Sequence, residues 1–78
     1  MEVKVHVTLR EDVRKDEAAK QAAFEKVLRT SSIRGINRKR FERYGVISGD
    51  LDDDTEVGAL ENLAEVSSVE KDSQKFAV

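Results

Sequence analysis

The sequence predicts an α+β domain, a ferredoxin-like βαββαβ plait whose four-stranded antiparallel sheet carries two helices on one face. Three observations lead there. Residues 3–10 alternate apolar and polar side chains with period two. Residues 16–31 repeat apolar positions with a helical period. The remaining chain repeats the strand and helix signals on a shorter scale. With 78 residues there is room for one domain, residues 1–78. Residues 1–72 are expected to form the plait and residues 73–78 an extended tail.

Val3, Val5, Val7 and Leu9 alternate with Lys4, His6, Thr8 and Arg10. That is the pattern of a strand with one buried face. Over residues 16–31, Ala18, Ala19, Ala22, Ala23, Phe24, Val27 and Leu28 make one apolar stripe, and Lys20, Glu25, Lys26 and Arg29 take the other side. Asp12 or Asp16 is the N-cap, and Thr30, Ser31 and Ser32 mark the exit. Ile33–Leu51 is expected to hold two strands joined by a turn at Tyr44-Gly45. Ile36 and Phe41 are five apart, out of phase for a straight strand, so a bulge near Gly35 or a slip before Phe41 is required. Val46, Ile47 and Leu51 carry the second of these strands, and Gly49 within it signals close approach by another group. Asp52, Asp53, Asp54 and Thr55 form an acidic helix start. Asp50, Asp52 and Asp54 alternate as calcium ligands do, but the frame that follows lacks the spacing of a calcium loop, so capping is the better reading. The short helix runs to about Glu65 with Val57, Leu60, Leu63 and Ala64 on one face. Val66 and Val69 open the last strand.

Composition narrows what holds this fold together. There is no Cys, no Pro and no Trp, and His6 is the single histidine. Disulfides and structural zinc are therefore closed routes, and the domain rests on apolar packing or on a partner. Apolar residues make up 38% of the chain and charged residues also 38%, so the core is expected to be thin and the free domain weakly stable. Residues 1–43 hold 12 basic and 7 acidic groups, a net of +5, whereas residues 44–78 hold 2 and 9, a net of −7. The overall charge of −2 therefore hides a dipolar molecule. Arg34, Arg38, Lys39, Arg40 and Arg43 form a basic cluster. It has few interleaved aromatics, and the acidic half repels phosphate, so it reads as a solvated strand and turn rather than a nucleic-acid surface.

No catalytic constellation is legible. His6 lies on the polar side of the first strand with no Ser/His/Asp spacing around it, and the four glycines are isolated rather than gathered in a phosphate loop. No enzyme activity, cofactor or metal is expected. No run approaches the about 20 apolar residues of a membrane span. The chain opens directly into its strand pattern without a signal peptide. That fits a cytoplasmic protein if this is the whole product, or an extracellular one if it is an excised propeptide. One face of the expected sheet is left open as a docking surface.

Residues 35–51, a basic strand leading through Phe41 and Tyr44 into a small-residue strand ending at Leu51, resemble the middle strands of subtilisin propeptides. Residues 59–72 are more similar still. They read as a short helix, a polar break and then Val66-x-x-Val69-Glu70-x-Asp72. The sequence departs from that pattern at Asn37 and Lys75, where apolar residues are usual, and lacks the usual Pro before Val66. The resemblance implies an inhibitor and folding assistant of subtilisin-like serine proteases, monomeric when free and heterodimeric with its protease. It implies that the open sheet face packs on two protease helices, with Glu70 and Asp72 at their N-termini, where free N–H groups favour a carboxylate. It also implies that Lys75, Phe76, Ala77 and Val78 lie in the substrate cleft as an added strand ending like a cleaved product, Val78 filling the primary pocket. A second resemblance comes from residues 3–13, which look like the start of the small non-catalytic subunit of formylglycinamidine ribonucleotide synthase. The Gly-Lys-aromatic strand of that family is not found here.

Overall fold

The computed structural model describes residues 2–72 and shows an α+β architecture built on a three-stranded antiparallel sheet. The strands are β1 (Val3–Leu9), β2 (Val46–Leu51) and β3 (Val66–Lys71). Their order is β2-β1-β3, so the first strand of the sequence lies in the middle. Val5, Val7 and Leu9 are fully buried, as the alternation predicts. They join Ile47 and Leu51 of β2 and Val66 of β3 in one core. A bulge lies where β3 meets the end of β1: Thr8 pairs with Ser68 but Leu9 with Val66, which leaves Ser67 as the extra residue.

The helices cover the face that carries these residues. A one-turn helix, α1 (Glu11–Lys15), follows β1 directly and was not expected. α2 (Glu17–Thr30) then runs for 14 residues. Asp16 is its N-cap, with Oδ1 accepting from the Ala18 N–H at 3.1 Å. Ser31 ends it, with both N–H and Oγ donating to the Val27 carbonyl. Its buried residues are Lys20, Ala23, Phe24 and Val27, an i, i+3, i+4, i+7 set. Ala18 and Ala22 are exposed and Leu28 is 39% exposed, so the stripe is rotated from the one the alanines suggest.

Lys20, expected on the solvated side, is only 7% exposed. It is tolerated because its ammonium donates to the Glu42 carbonyl at 2.9 Å and lies 5.2 Å from the centre of the Phe41 ring.

The largest departure from the expected fold lies at residues 38–44. The first of the two strands anticipated in Ile33–Leu51 is reduced to a single bridge, Arg34 to Asp50, with N–H···O distances of 3.0 and 2.8 Å. The chain then forms α3 (Arg38–Tyr44). Only three strands are present among the described residues, and four helices rather than two.

The reason is local. Arg38–Tyr44 contains no β-branched residue and is rich in good helix formers. Asn37 caps its start through Oδ1, which accepts from the Arg40 N–H at 3.0 Å. Gly45 caps its end at φ +69°, in the left-handed region, so Tyr44-Gly45 is a helix terminus and not a hairpin turn. Lys20 adds a cation at the last-turn carbonyls. The five-residue offset of Ile36 and Phe41 is thereby explained without a bulge: Ile36 precedes the helix and Phe41 lies on it. Phe41 is 1% exposed, and its ring centre lies 4.6 Å from that of Phe24.

Gly49 behaves as its position in β2 predicts. A Cβ there would stand 2.7 Å from the Arg34 carbonyl oxygen and 2.8 Å from Ile33 Cγ1. The glycine lets the segment after α2 close over the sheet edge. Glu56 fastens the same segment by accepting from the Ser32 N–H and Oγ, each at 2.7 Å.

The last helix, α4 (Thr55–Glu61), stops short of the expected Glu65. Leu60 is its buried residue, with Val57 and Leu63 packed against the core. Its N-cap residue, Asp54, makes no side-chain cap hydrogen bond; Asp53 just before it takes up the first helical N–H, its Oδ1 accepting from Thr55 at 2.9 Å. The backbone and side-chain hydrogen bonds from Thr55 hold the Asp53 carboxyl below its usual 3.8. A depressed folded-state pKa contributes stability that is present above the unfolded value and lost as pH falls through the folded one. The gap in urea midpoint between the wild type and Asp53→Ala is therefore expected to be widest near neutral pH and to narrow as pH falls below 3.8. A gap that stays constant into acid would show that the charged form of Asp53 is not what caps α4.

Candidate functional site: the open face of the sheet

The face of the sheet opposite the helices forms a grid of three rows set by the strand register. At one end lie Asp50, Lys4 and Asp72, the last continuing the β3 ladder through its N–H to the Lys4 carbonyl at 2.8 Å. The middle row is Ser48, His6 and Glu70. The far row is Val46, Thr8 and Ser68. Directly opposed residues of an antiparallel pair point to the same side, so all nine share this face. Acids flank the basic Lys4, and the half-buried Val46 is the largest apolar residue of the grid. A partner on this surface therefore meets hydrogen-bonding and charged groups rather than a grease patch.

Glu70 and Asp72, the two acids singled out from the sequence, are brought together here. They are exposed, stand two residues apart on the outer strand and project to the same side. At about 3.3 Å per residue they sit about 7 Å apart along β3. The acids that alternate near Leu51 separate instead. Asp52 pairs with Arg34 at 2.7 Å and Asp54 with Lys71 at 3.8 Å, while Asp50 lies in the grid. Lys75, Phe76, Ala77 and Val78 lie outside the described residues.

The register also assembles a line of residues that sequence spacing hides. His6 Nδ1 lies 2.8 Å from Ser48 Oγ, and its Nε2 lies 3.6 Å from Asp72 Oδ2. These three side chains come from positions 6, 48 and 72, and only strand pairing aligns them. In the tautomer with its proton on Nε2, facing the carboxylate, Nδ1 accepts from the Ser48 hydroxyl. The Ser48 side chain is held at the sheet edge, 7% exposed, beside a groove of about 230 Å³ that Asn37 and Arg40 also line. The line fixes the imidazole and gives Asp72 a polar neighbour. The signal that could have located it is the polar phase of β1, which points His6 to the face that Ser48 shares.

The basic cluster is divided. Arg34 pairs with Glu2 and Asp52, each at 2.7 Å, and the hydrogen bonds to Glu2 and then Asp52 hold its guanidinium charged. Arg38 lies over the Phe24 ring at 5.1 Å. Lys39, Arg40 and Arg43 are exposed on α3. The cluster is thus a solvated helix rather than a solvated strand.

The fold and this polar face define a small α+β domain with one side of its sheet uncovered among the described residues. Among those residues no helix is long and apolar enough to cross a membrane. Comparison with family models, curated proteins and solved structures gave no match.

Proposed function

We propose that this domain is a protein inhibitor of subtilisin-like serine proteases, of the propeptide type, and assists the folding of its target. The observation that carries the reading is the placing of Glu70 and Asp72 on the uncovered side of β3. Two carboxylates about 7 Å apart on one strand are suited to meet the N-termini of two adjacent helices, where free N–H groups and the helix dipole favour negative charge. His6, through Ser48, restricts where the Asp72 carboxylate can go. The antiparallel strand order β2-β1-β3 is compatible with three strands of a ferredoxin-like plait, and on this reading the single bridge from Arg34 to Asp50 marks where the fourth would lie.

On this reading residues 75–78 add as a strand to the substrate cleft, with backbone hydrogen bonds supplying affinity and side-chain pockets supplying specificity. The partner is a single protease molecule, and the role is not catalytic. Binding only the folded domain couples its stability to the protease by mass action.

Titration of subtilisin on a peptide substrate tests the proposal. The full chain is expected to inhibit at a one-to-one ratio. Removing residues 75–78 is expected to weaken inhibition by about a hundredfold, since the cleft-bound strand is lost. Glu70→Gln and Asp72→Asn are each expected to weaken it about fivefold, the equivalent of about 1 kcal/mol at a helix N-terminus. Equal potency for the full and shortened chains would sink the tail mechanism, and no inhibition by the full chain would sink the proposal.

A further inference from the structure

α1 and α3 face each other across a cleft of about 770 Å³ at the end of the sheet where β2 begins. Glu11, Arg14 and Lys15 line it from α1, Lys20 from α2, and Arg40, Glu42 and Arg43 from α3. Tyr44, 58% exposed, is also part of its wall. Arg14 is held in place: its side-chain stem packs so closely on Gly45 that no Cβ fits there. Arg40 and Arg43 stand three apart, one turn of the same helix face.

The arginines of this cleft lack the carboxylate partners that several other cations have among the described residues. Elsewhere Arg34, Lys26 and Lys71 each have a carboxylate partner. Among the described residues Arg14, Arg40 and Arg43 have none within ion-pair distance, and Lys15 pairs only with the exposed Glu11 at 3.4 Å. The acids at 52–54 lie beyond the opposite end of β2. Five steps of about 3.3 Å along the strand put about 17 Å between them and the cleft. That is about twice the screening length at physiological salt. Within the cleft five cations, Arg14, Lys15, Lys20, Arg40 and Arg43, face two acids, Glu11 and Glu42, so its lining stays positive in a chain whose net charge is −2.

We propose that this cleft binds a phosphate-bearing small molecule, with a nucleoside di- or triphosphate the best match. Planar guanidinium groups contributed to one cleft by two helices suit the oxygens of a polyphosphate, and Tyr44 offers an aromatic side chain for a base. The volume is that of an ordinary small-molecule site. The cleft lies at the end of the sheet away from Asp72, so the site is independent of the protease reading and stands or falls separately.

The test is titration of the ¹⁵N-labelled full chain with ATP, inorganic pyrophosphate and adenosine at 50 mM salt. ATP is expected to saturate at one equivalent, with shifts confined to residues 11–15 and 40–46. Pyrophosphate is expected to move the same arginine-flanking amides more weakly, and adenosine to move none. The double variant Arg40→Gln/Arg43→Gln removes two surface cations, and circular dichroism checks that it stays folded. It is expected to weaken ATP binding about tenfold or more, whereas Arg29→Gln on α2 leaves it unchanged. Three results would overturn the proposal: no saturable shift with ATP, equal weakening by Arg29→Gln, or tight binding of single-stranded RNA that grows with length while ATP does not saturate.

Discussion

Phe41→Ala is expected to leave the domain without a cooperative unfolding transition at 25 °C. Phe41 is 1% exposed, packs on Phe24 at 4.6 Å and is the one side chain that anchors α3 in the core. Truncating a buried phenylalanine costs about 3–5 kcal/mol. A domain of this size with a thin core has about 5 kcal/mol in total. The variant also strips the ring from beside the buried Lys20 ammonium, which then keeps only the Glu42 carbonyl and the distant Glu17 carboxylate at 4.0 Å. Phe41→Leu keeps most of the volume and is expected to remain folded, with a loss of about 1–1.5 kcal/mol. Urea titration followed by far-UV circular dichroism separates the outcomes. A cooperative transition for Phe41→Ala within about 1 kcal/mol of the wild type would show that α3 does not share the core.

Gly49→Ala is the second large effect, with an expected cost of about 2–3 kcal/mol. Phenylalanine 41 is lost as a cavity; at Gly49 the damage is overcrowding. The added methyl would lie 2.7 Å from a backbone oxygen, that of Arg34, which cannot swing away as a side chain can. That oxygen accepts from the Asp50 N–H at 2.8 Å, so relieving the clash opens the bridge that ties residues 33–34 to β2. Ile33, 6% exposed and 2.8 Å from the new methyl, would have to move as well. The expected readout is a lower melting temperature together with faster hydrogen exchange at the Arg34 and Asp50 amides. Adding Ile33→Val to Gly49→Ala removes only Cδ1, 3.3 Å from the new methyl, and keeps the closer γ carbon, so it is expected to recover little of the loss. A melting temperature for Gly49→Ala within about 2 °C of the wild type would mean that the bridge contributes little.

These two residues also show where the sequence was legible and where it was not. Gly49 was readable, because a glycine inside a strand implies that something comes close to the backbone. Phe41 was misplaced. Its neighbours looked like a strand interrupted by a slip, while a complete set of helix signals stood in the same residues: Asn37 to start, Gly45 to stop and no β-branched residue between. The likeness to propeptide strands treats the same residues as extended. Asn37, which fits that likeness poorly as an apolar position, fits well as the cap of α3.

The candidate site divides in the same way. That Glu70 and Asp72 share a face follows from period two alone and was available from the sequence. That His6 stands between Ser48 and Asp72 was not, because it depends on which strands pair and in what register. The cationic cleft was hidden for a related reason. Arg40 and Arg43 were visible as part of a basic run, but their meeting with Arg14 needs both the unexpected α3 and the one-turn α1.

By itself, then, the sequence determined the α+β class, the buried face of β1, the choice of Asp12 or Asp16 as a cap, the tight approach at Gly49 and the pairing of the two acids on one side of β3. Each of these rests on local periodicity or on the conformational range of a single residue, and both are written in neighbouring positions. Tertiary structure alone decided that β1 lies in the middle of the sheet, that Lys20 is buried against Phe41, and that positions 6, 48 and 72 form one line. Those outcomes join residues more than 20 positions apart. They are set by which distant surfaces exclude water together, a choice that no local pattern encodes.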